Sequence, residues 1–244
     1  MDRAAHLAHI EADTEALIAA ATTSLDATID FLSNWKVRDL VAHIGAVWAI
    51  VTAQVTGDGR GDEIVAPGPE AQAPDGDAIV DWIGERRDAL LAGLRNADPD
   101  KVTWSFAGPN DVTWWTRRMA SETAVHRFDA QTAAGSPQPI DPDLAGDAVD
   151  EYLHVGLQFS SSRPDRVYPA QTLHLHRSDG PGEWMLARGA TENDVVITHE
   201  HGKGDAAVRG PASDLLLWVW GRPTEAVEIF GDESVAEAWR FLAP

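Results

Sequence analysis

The stretch W-W-T-R-R-M-A-S-E-T-A-V-H-R-F-D-A-Q holds the two side chains best placed to do chemistry, Glu122 and His126, a carboxylate and an imidazole four residues apart. On a helix that spacing stacks both on one face about one turn apart, as two ligands of a single metal ion must be. At about 100° per residue, Arg117, Thr116, Thr123, Arg127 and Gln131 fall on one side, and Trp115, Met119, Glu122, Val125, His126 and Asp129 on the other. The first set is expected in water. Glu122 and His126 then face the interior, where an unpaired carboxylate is costly and needs a partner. Two arrangements meet that need: a metal ion, or hydrogen bonds of the pair to each other and to an arginine such as Arg118.

A third ligand separates the two. In W-K-V-R-D-L-V-A-H-I-G-A-V-W-A-I-V-T-A-Q-V, the residues Val37, Leu40, Val41, Ile44, Val47, Trp48, Val51 and Val55 recur at helical spacing. His43 lies at the edge of that stripe, beside Leu40 and Val47, so its imidazole can reach toward a neighbouring helix. Two histidines and one carboxylate with a position left open describe a catalytic divalent site, since structural zinc sites usually close all four positions. Facing helices of a bundle commonly build such sites.

Composition narrows the class. A chain of 244 residues with 44% hydrophobic and 24% charged residues is ordinary globular protein, long enough for one large domain or two small ones. A net charge of −20 repels phosphate backbones and anionic lipid, so neither nucleic acid nor a membrane is expected as a partner. With no cysteine, disulfides, thiolate zinc sites and a Cys nucleophile are excluded, and any thiol chemistry must use a thiol from outside. The opening residues M-D-R-A-A-H-L-A-H-I have no apolar core of signal-peptide type, and the longest strong apolar run is L-L-L-W-V-W at 215–220. A cytoplasmic protein, monomeric or homodimeric, is expected.

Periodicity predicts helices over 2–24, 36–56, 78–96 and 112–134, enough for a four-helix bundle. The connection at 57–77 is rich in Gly, Pro and acidic residues and lacks periodicity, which marks a mobile segment or a functional rim. G-S-P-Q-P-I-D-P-D at 135–143 is the best boundary, giving units of 1–140 and 141–244. Beyond it a helix at 144–161 is followed by period-two segments, Y-P-A-Q-T-L-H-L-H-R, W-M-L-A-R, D-V-V-I-T-H-E and A-V-E-I-F-G, interleaved with helices at about 211–220 and 232–242. The fold class is α plus α/β.

The remaining histidines carry less. His174 with His176, and His199 with His201, stand two apart on strand-like segments, so each pair shares a sheet face and can chelate a metal. Alternation, however, puts Leu173 and Leu175 on the buried face and leaves His174 and His176 in water. His6, His9 and His154 have no evident carboxylate companion and read as surface or packing residues. Ten Trp are many for this length; most belong to the core, while Trp48, Trp114 or Trp115 can wall a ligand pocket.

Taken together, W-K-V-R-D-L-V-A-H-I, E-T-A-V-H-R-F-D-A, V-R-G-P-A-S-D-L-L-L-W-V-W-G-R-P and V-E-I-F-G-D resemble the mycothiol-dependent maleylpyruvate isomerase family, over nearly the whole chain and in the same order. The resemblance implies a DinB-like four-helix bundle with an appended small α/β domain. It implies zinc or another divalent ion held by His43, Glu122 and His126, the set that spacing also selects. It also implies a functional arginine in the C-terminal domain, Arg222 first and Arg209 second. One departure is Lys36, where the family usually carries Ser or Thr as a helix cap paired with the residue at Asp39. Lys cannot accept helix N–H groups, so Asn34 or Ser33 is expected to cap instead.

Such an enzyme is implied to bring the sulfur of mycothiol to the metal, where an open position deprotonates a thiol outright. An isomerase would add the thiolate to an activated double bond, let the adduct rotate, and break the new C–S bond again to return the trans alkene and free thiol; a transferase would keep the adduct. Arg222 or Arg118 can hold a substrate carboxylate. Arg209, Arg118 and Trp48 are the candidate contacts to the thiol cofactor, and Asp129 can orient a ligand histidine or relay a proton. Two other classes fit parts of the pattern: a non-catalytic metal- or small-ligand-binding stress protein, and a carrier for an apolar ligand built on the α/β half.

Overall fold

Two side-chain caps start the first and last long helices of the N-terminal half. Asp2 accepts from the Ala5 amide at 2.8 Å and opens α1 (Arg3–Ser24), and Asp111 accepts from the Trp114 amide at 2.7 Å and opens α4 (Val112–Ala133). Between them lie α2 (Val37–Thr56) and α3 (Ala78–Asn96). The computed structural model describes residues 1–32, 35–59, 61–161, 167–240 and 242. Its contacts divide the chain into two compact units, Met1–Gln138 and Pro139–Pro244.

In the first unit the four helices pack on one another, α1 against α4 and α2 against α3, with α2 also touching α4. Two short antiparallel ladders feed the site helices. One joins β1 (Thr28–Ile29) to β2 (Trp35–Lys36) directly before α2; the other joins β3 (Val102–Thr103) to β4 (Asn110–Asp111) directly before α4. At the start of α2 the Asp39 carboxylate accepts from the Lys36 amide at 2.9 Å, which is the half of the capping box that Lys permits. Ser33 and Asn34, the alternative caps, lie outside the described residues.

α2 is long and apolar enough by composition to cross a membrane, and half of it is buried inside this unit. Val37, Leu40, Val41, Ile44, Trp48, Val51 and Val55 form the buried stripe. The 57–77 connection is tied down where it is described: the Gln54 amide donates to Val65 O at 2.6 Å and accepts from Val65 N at 3.0 Å, and the Trp82 indole donates to Glu70 O at 2.8 Å. A cavity of about 440 Å³ opens there, lined by Thr52, Thr56, Val65, Glu70 and Arg86 among others; none of the three candidate ligands lines it.

The solvent face assigned to 112–134 is corrected by the packing. Thr116, Thr123 and Arg127 are buried, because α1 covers the side of α4 opposite α2. Arg127 tolerates this by pairing with Asp13 of α1 at 3.0 Å and donating to Gln131 Oε1 and Gln138 O, each at 2.7 Å. Helical periodicity identified the helix, but a helix enclosed on both sides has no wet face to read.

The second unit opens with α5 (Pro142–Ser161), started by Pro142 at its first position and by Asp141, which accepts from the Leu144 amide at 3.1 Å. A five-stranded sheet follows in the order β7-β6-β5-β8-β9. Its strands are β5 (Leu173–Arg177), β6 (Glu183–Arg188), β7 (Val195–Thr198), β8 (Ala206–Gly210) and β9 (Glu228–Gly231), with α6 (Ala212–Val219) and α7 (Glu233–Arg240) inserted around β9. All pairings are antiparallel except β5 with β8, in register Leu175 to Val208. β8 was not legible in the sequence: A-A-V-R-G is short and poor in β-branched residues, and pairing on both edges makes it a strand.

Two helix glycines give opposite expectations. A Cβ on Gly45 of α2 would collide with the Trp82 ring and stand 2.9 Å from Ile83 Cδ1, whereas a Cβ on Gly84 of α3 meets nothing within 4 Å. Gly45→Ala should destabilise by about 1–3 kcal/mol through overpacking. Gly84→Ala should stabilise by about 0.5–1 kcal/mol through backbone entropy. Urea midpoints at unchanged slope check both.

Candidate metal centre

α4 carries three of the polar groups that meet inside the first unit. Glu122, His126 and Asp129 are all buried, Asp129 completely. α2 supplies the fourth, His43, whose ring stands 5.3 Å from that of His126 in an edge-on arrangement. Glu122 Oε1 is 3.2 Å from His126 Nε2 and 3.6 Å from His43 Nε2. One donor atom from each of the three residues lies within 4.8 Å of the others. Donors on a tetrahedral ion with bonds of about 2.0–2.1 Å stand roughly 3.3 Å apart, so these separations fit a divalent ion with little adjustment.

The partners behind the ligands sharpen the fit. His126 Nδ1 is 2.9 Å from Asp129 Oδ2. An ionised carboxylate can only accept, so Nδ1 carries the proton and Nε2 faces Glu122 Oε1. Two electron-rich atoms so placed require a positive species between them, a proton or a metal ion. Arg118 takes the other carboxylate oxygen, Oε2. Burial pushes Glu122 toward neutrality, yet the Arg118 guanidinium and the two imidazoles outweigh it and hold the carboxyl well below its ordinary range. Burial likewise opposes charge on His126, but its hydrogen bonds to Asp129 and Glu122 raise its affinity for a proton. The hydrogen-bonded arrangement read from the sequence is therefore present through Arg118, and Glu122 presents its other oxygen to both histidines, as the metal-ion arrangement would also require.

The other expected site residues are placed less directly. Arg118 is committed to Glu122. Trp48 is wholly buried in the core, and Trp115 is buried with its indole donating to Thr103 Oγ1 at 2.9 Å. Trp114 is half-buried, and its ring packs against Trp115 and Phe106. In the second unit, Arg222 is buried, donates to Trp220 O at 2.7 Å and lies over the Trp220 ring. Arg209 is exposed and paired with Glu228 at 2.9 Å. Trp35 was missed as a site residue; its ring lies 5.3 Å from that of His43. It precedes the helical stripe, so periodicity gave no signal for it.

The histidine pairs also need correction. His174 is buried rather than solvated. His199 and His201 diverge: the His199 ring stacks on His154 at 5.9 Å and approaches Asp150 at 3.2 Å, while His201 hydrogen-bonds Glu183 at 2.7 Å. His154 thus has the carboxylate companion, Asp150, that its isolated position in the sequence did not reveal.

Residues 7–131 match the family model described as the mycothiol maleylpyruvate isomerase N-terminal domain, and residues 83–238 match that of the MDMPI C-terminal domain. Among solved structures, the chain is similar to a mycothiol-dependent maleylpyruvate isomerase with a TM-score of 0.65 and 12% identity, covering 94% of this chain and 93% of that one. A histidine-to-alanine mutant of that isomerase matches with a TM-score of 0.64 and the same identity and coverage. At this identity the likeness concerns the fold. No curated protein matches.

Replacing Arg118 by Met keeps much of the aliphatic stem but strips Glu122 of its guanidinium. In metal-free protein Arg118→Met should cost about 3 kcal/mol at neutral pH. Because the carboxyl of Glu122 is depressed in the fold, its contribution is present above its ordinary value of 4.5 and is lost as pH falls through the folded value. The gap between variant and wild type should therefore close in acid. Chemical denaturation of chelator-treated protein across the acid range measures this; a gap that does not depend on pH would contradict the pairing.

Proposed function

The chain belongs to the mycothiol maleylpyruvate isomerase family, and on that premise we propose that it is a divalent-metal enzyme using mycothiol as thiol cofactor or cosubstrate. The electrophile is a small molecule, and the outcome is cis-trans isomerisation of the maleylpyruvate type or S-transfer. His43, Glu122 and His126 are the proposed ligands, and zinc is the first candidate for the ion. The four helices of the first unit are read as a DinB-like four-helix bundle carrying the site, and the second unit as the appended α/β domain.

The observation that carries this reading is the disposition of Glu122 Oε1. It faces His126 Nε2 at 3.2 Å and His43 Nε2 at 3.6 Å, while Asp129 fixes the far nitrogen of His126 and Arg118 occupies Oε2. A bound divalent ion with an open position supplies a thiolate at neutral pH. Each residue has a task around it. Glu122 offers one oxygen, because Arg118 retains the other. Asp129 keeps the His126 lone pair aimed at the centre. His43, whose side chain is 39% exposed, lies on the side of the set that solvent and a small thiol can reach. A chain without cysteine has no thiol of its own to compete for the position.

The test uses tag-free protein stripped with a chelator and refilled with zinc. Mycothiol-dependent turnover of a maleylpyruvate-type cis alkene should vanish on stripping, return with metal, and be absent from His43→Ala and His126→Ala. Full activity in stripped protein would end the metal reading. Asp129→Asn should weaken metal affinity by about 10- to 100-fold, since it disturbs the tautomer but removes no ligand. Competition against a chromophoric chelator measures that loss, and an unchanged affinity would remove Asp129 from the site.

A further inference from the structure

The second unit gathers a separate set of donors, independent of the proposed thiol site. His174 and His176 project from the same face of β5, the central strand of the sheet. Glu183 on β6 is the register partner of His176, so its side chain rises on that face as well. His201, just beyond β7, closes over the group. One donor atom from each of the four lies within 4.8 Å of the others. The three imidazole centroids stand 5.9, 5.6 and 6.3 Å apart and are steeply inclined to one another.

Hydrogen bonding is short and well formed at one of the three imidazoles. Glu183 Oε2 is 2.7 Å from His201 Nδ1, an ordinary charge-assisted hydrogen bond. The contacts to His176 Nδ1 and His174 Nε2, however, are 3.2 and 3.3 Å. These match the edge of a tetrahedron around an ion with bonds of about 2.0–2.1 Å. His174 Nε2 is buried and points into the cluster, where it forms no hydrogen bond of good geometry and Glu183 Oε2 at 3.3 Å is the carboxylate oxygen it faces. A single divalent ion satisfies all four groups at once.

We propose that His174, His176, Glu183 and His201 form a second metal site, a closed three-nitrogen, one-oxygen set for zinc or a similar borderline divalent ion. Nitrogen donors select against calcium and magnesium, which take oxygen cages. With all four positions filled by protein the site is structural: it fastens β5 and β6 to the segment after β7. His201, with its side chain 78% exposed, is the ligand through which the ion enters. The neighbouring group Asp150, His154 and His199 is weaker, because Asp150 Oδ1 already accepts from the Trp184 indole at 3.2 Å.

Cobalt titration of tag-free, chelator-stripped protein, followed by visible absorption and by elemental analysis after desalting, tests the proposal. Wild type should take up about two equivalents, with the intense bands of tetrahedral cobalt. His126→Ala should retain about one, and His176→Ala/His201→Ala, which alters only partly exposed side chains, should also retain about one. Glu183→Gln, checked for folding by circular dichroism, should lose the same equivalent as the double variant. If wild type binds about one equivalent that His126→Ala keeps and the double variant loses, this site stands and the first one fails. If the double variant and Glu183→Gln bind as much cobalt as wild type, the second site is wrong.

Discussion

A carboxylate has been placed where water cannot solvate it, and much of the first unit answers to that constraint. Glu122 is held ionised because a guanidinium one turn earlier on α4 takes one oxygen and two imidazoles face the other. Desolvation is the largest influence on this group, and Arg118, His126 and His43 together reverse it. The requirement extends outward. His126 can serve only while Asp129 fixes its far nitrogen, and Asp129, fully buried, is in turn committed to His126. His43 can serve only while α2 lies against α4, with the direction of α2 set by the ladder and the Asp39 contact at its start.

The same helix that concentrates charge at the centre carries a second buried polar system on its opposite side. Arg127 joins Asp13 of α1 to Gln131 and to the Gln138 carbonyl, so the chain leaving α4 is fastened to the helix it leaves. Thr116 and Thr132 return their hydroxyls to carbonyls four residues back, which lets polar side chains sit on a crowded helix without seeking water. α4 is thus polar in sequence and enclosed in space. That combination is expected where buried groups bind rather than merely pack, because apolar side chains would fill the same volume with less desolvation.

The second unit repeats the device on a different scaffold. One carboxylate, Glu183, stands among three imidazoles, but β-strand alternation and antiparallel register bring them together instead of helical turns. The contrast in exposure matters. Glu122 is sealed and owes its charge to fixed partners, whereas Glu183 lies at the surface, where partial desolvation is outweighed by the His201 hydrogen bond and the nearby imidazoles.

Spacing by itself determined a good deal of this protein: four helices before residue 135, an E-x-x-x-H pair on one helix face, a histidine at the edge of an apolar stripe, and a change to period-two segments in the C-terminal half. Those features are local, and 3.6- and 2-residue periods write them directly into the chain. Tertiary packing decided what is non-local. It buried the supposed wet face of α4 by laying α1 across it, and made A-A-V-R-G a strand by pairing both its edges. It spent Arg118 on Glu122, sent His199 and His201 to different carboxylates, and buried His174 on the central strand of the sheet. A periodic pattern reports which side chains share a face. It does not report what lies opposite that face, and the charge state of a buried group depends on that opposite surface.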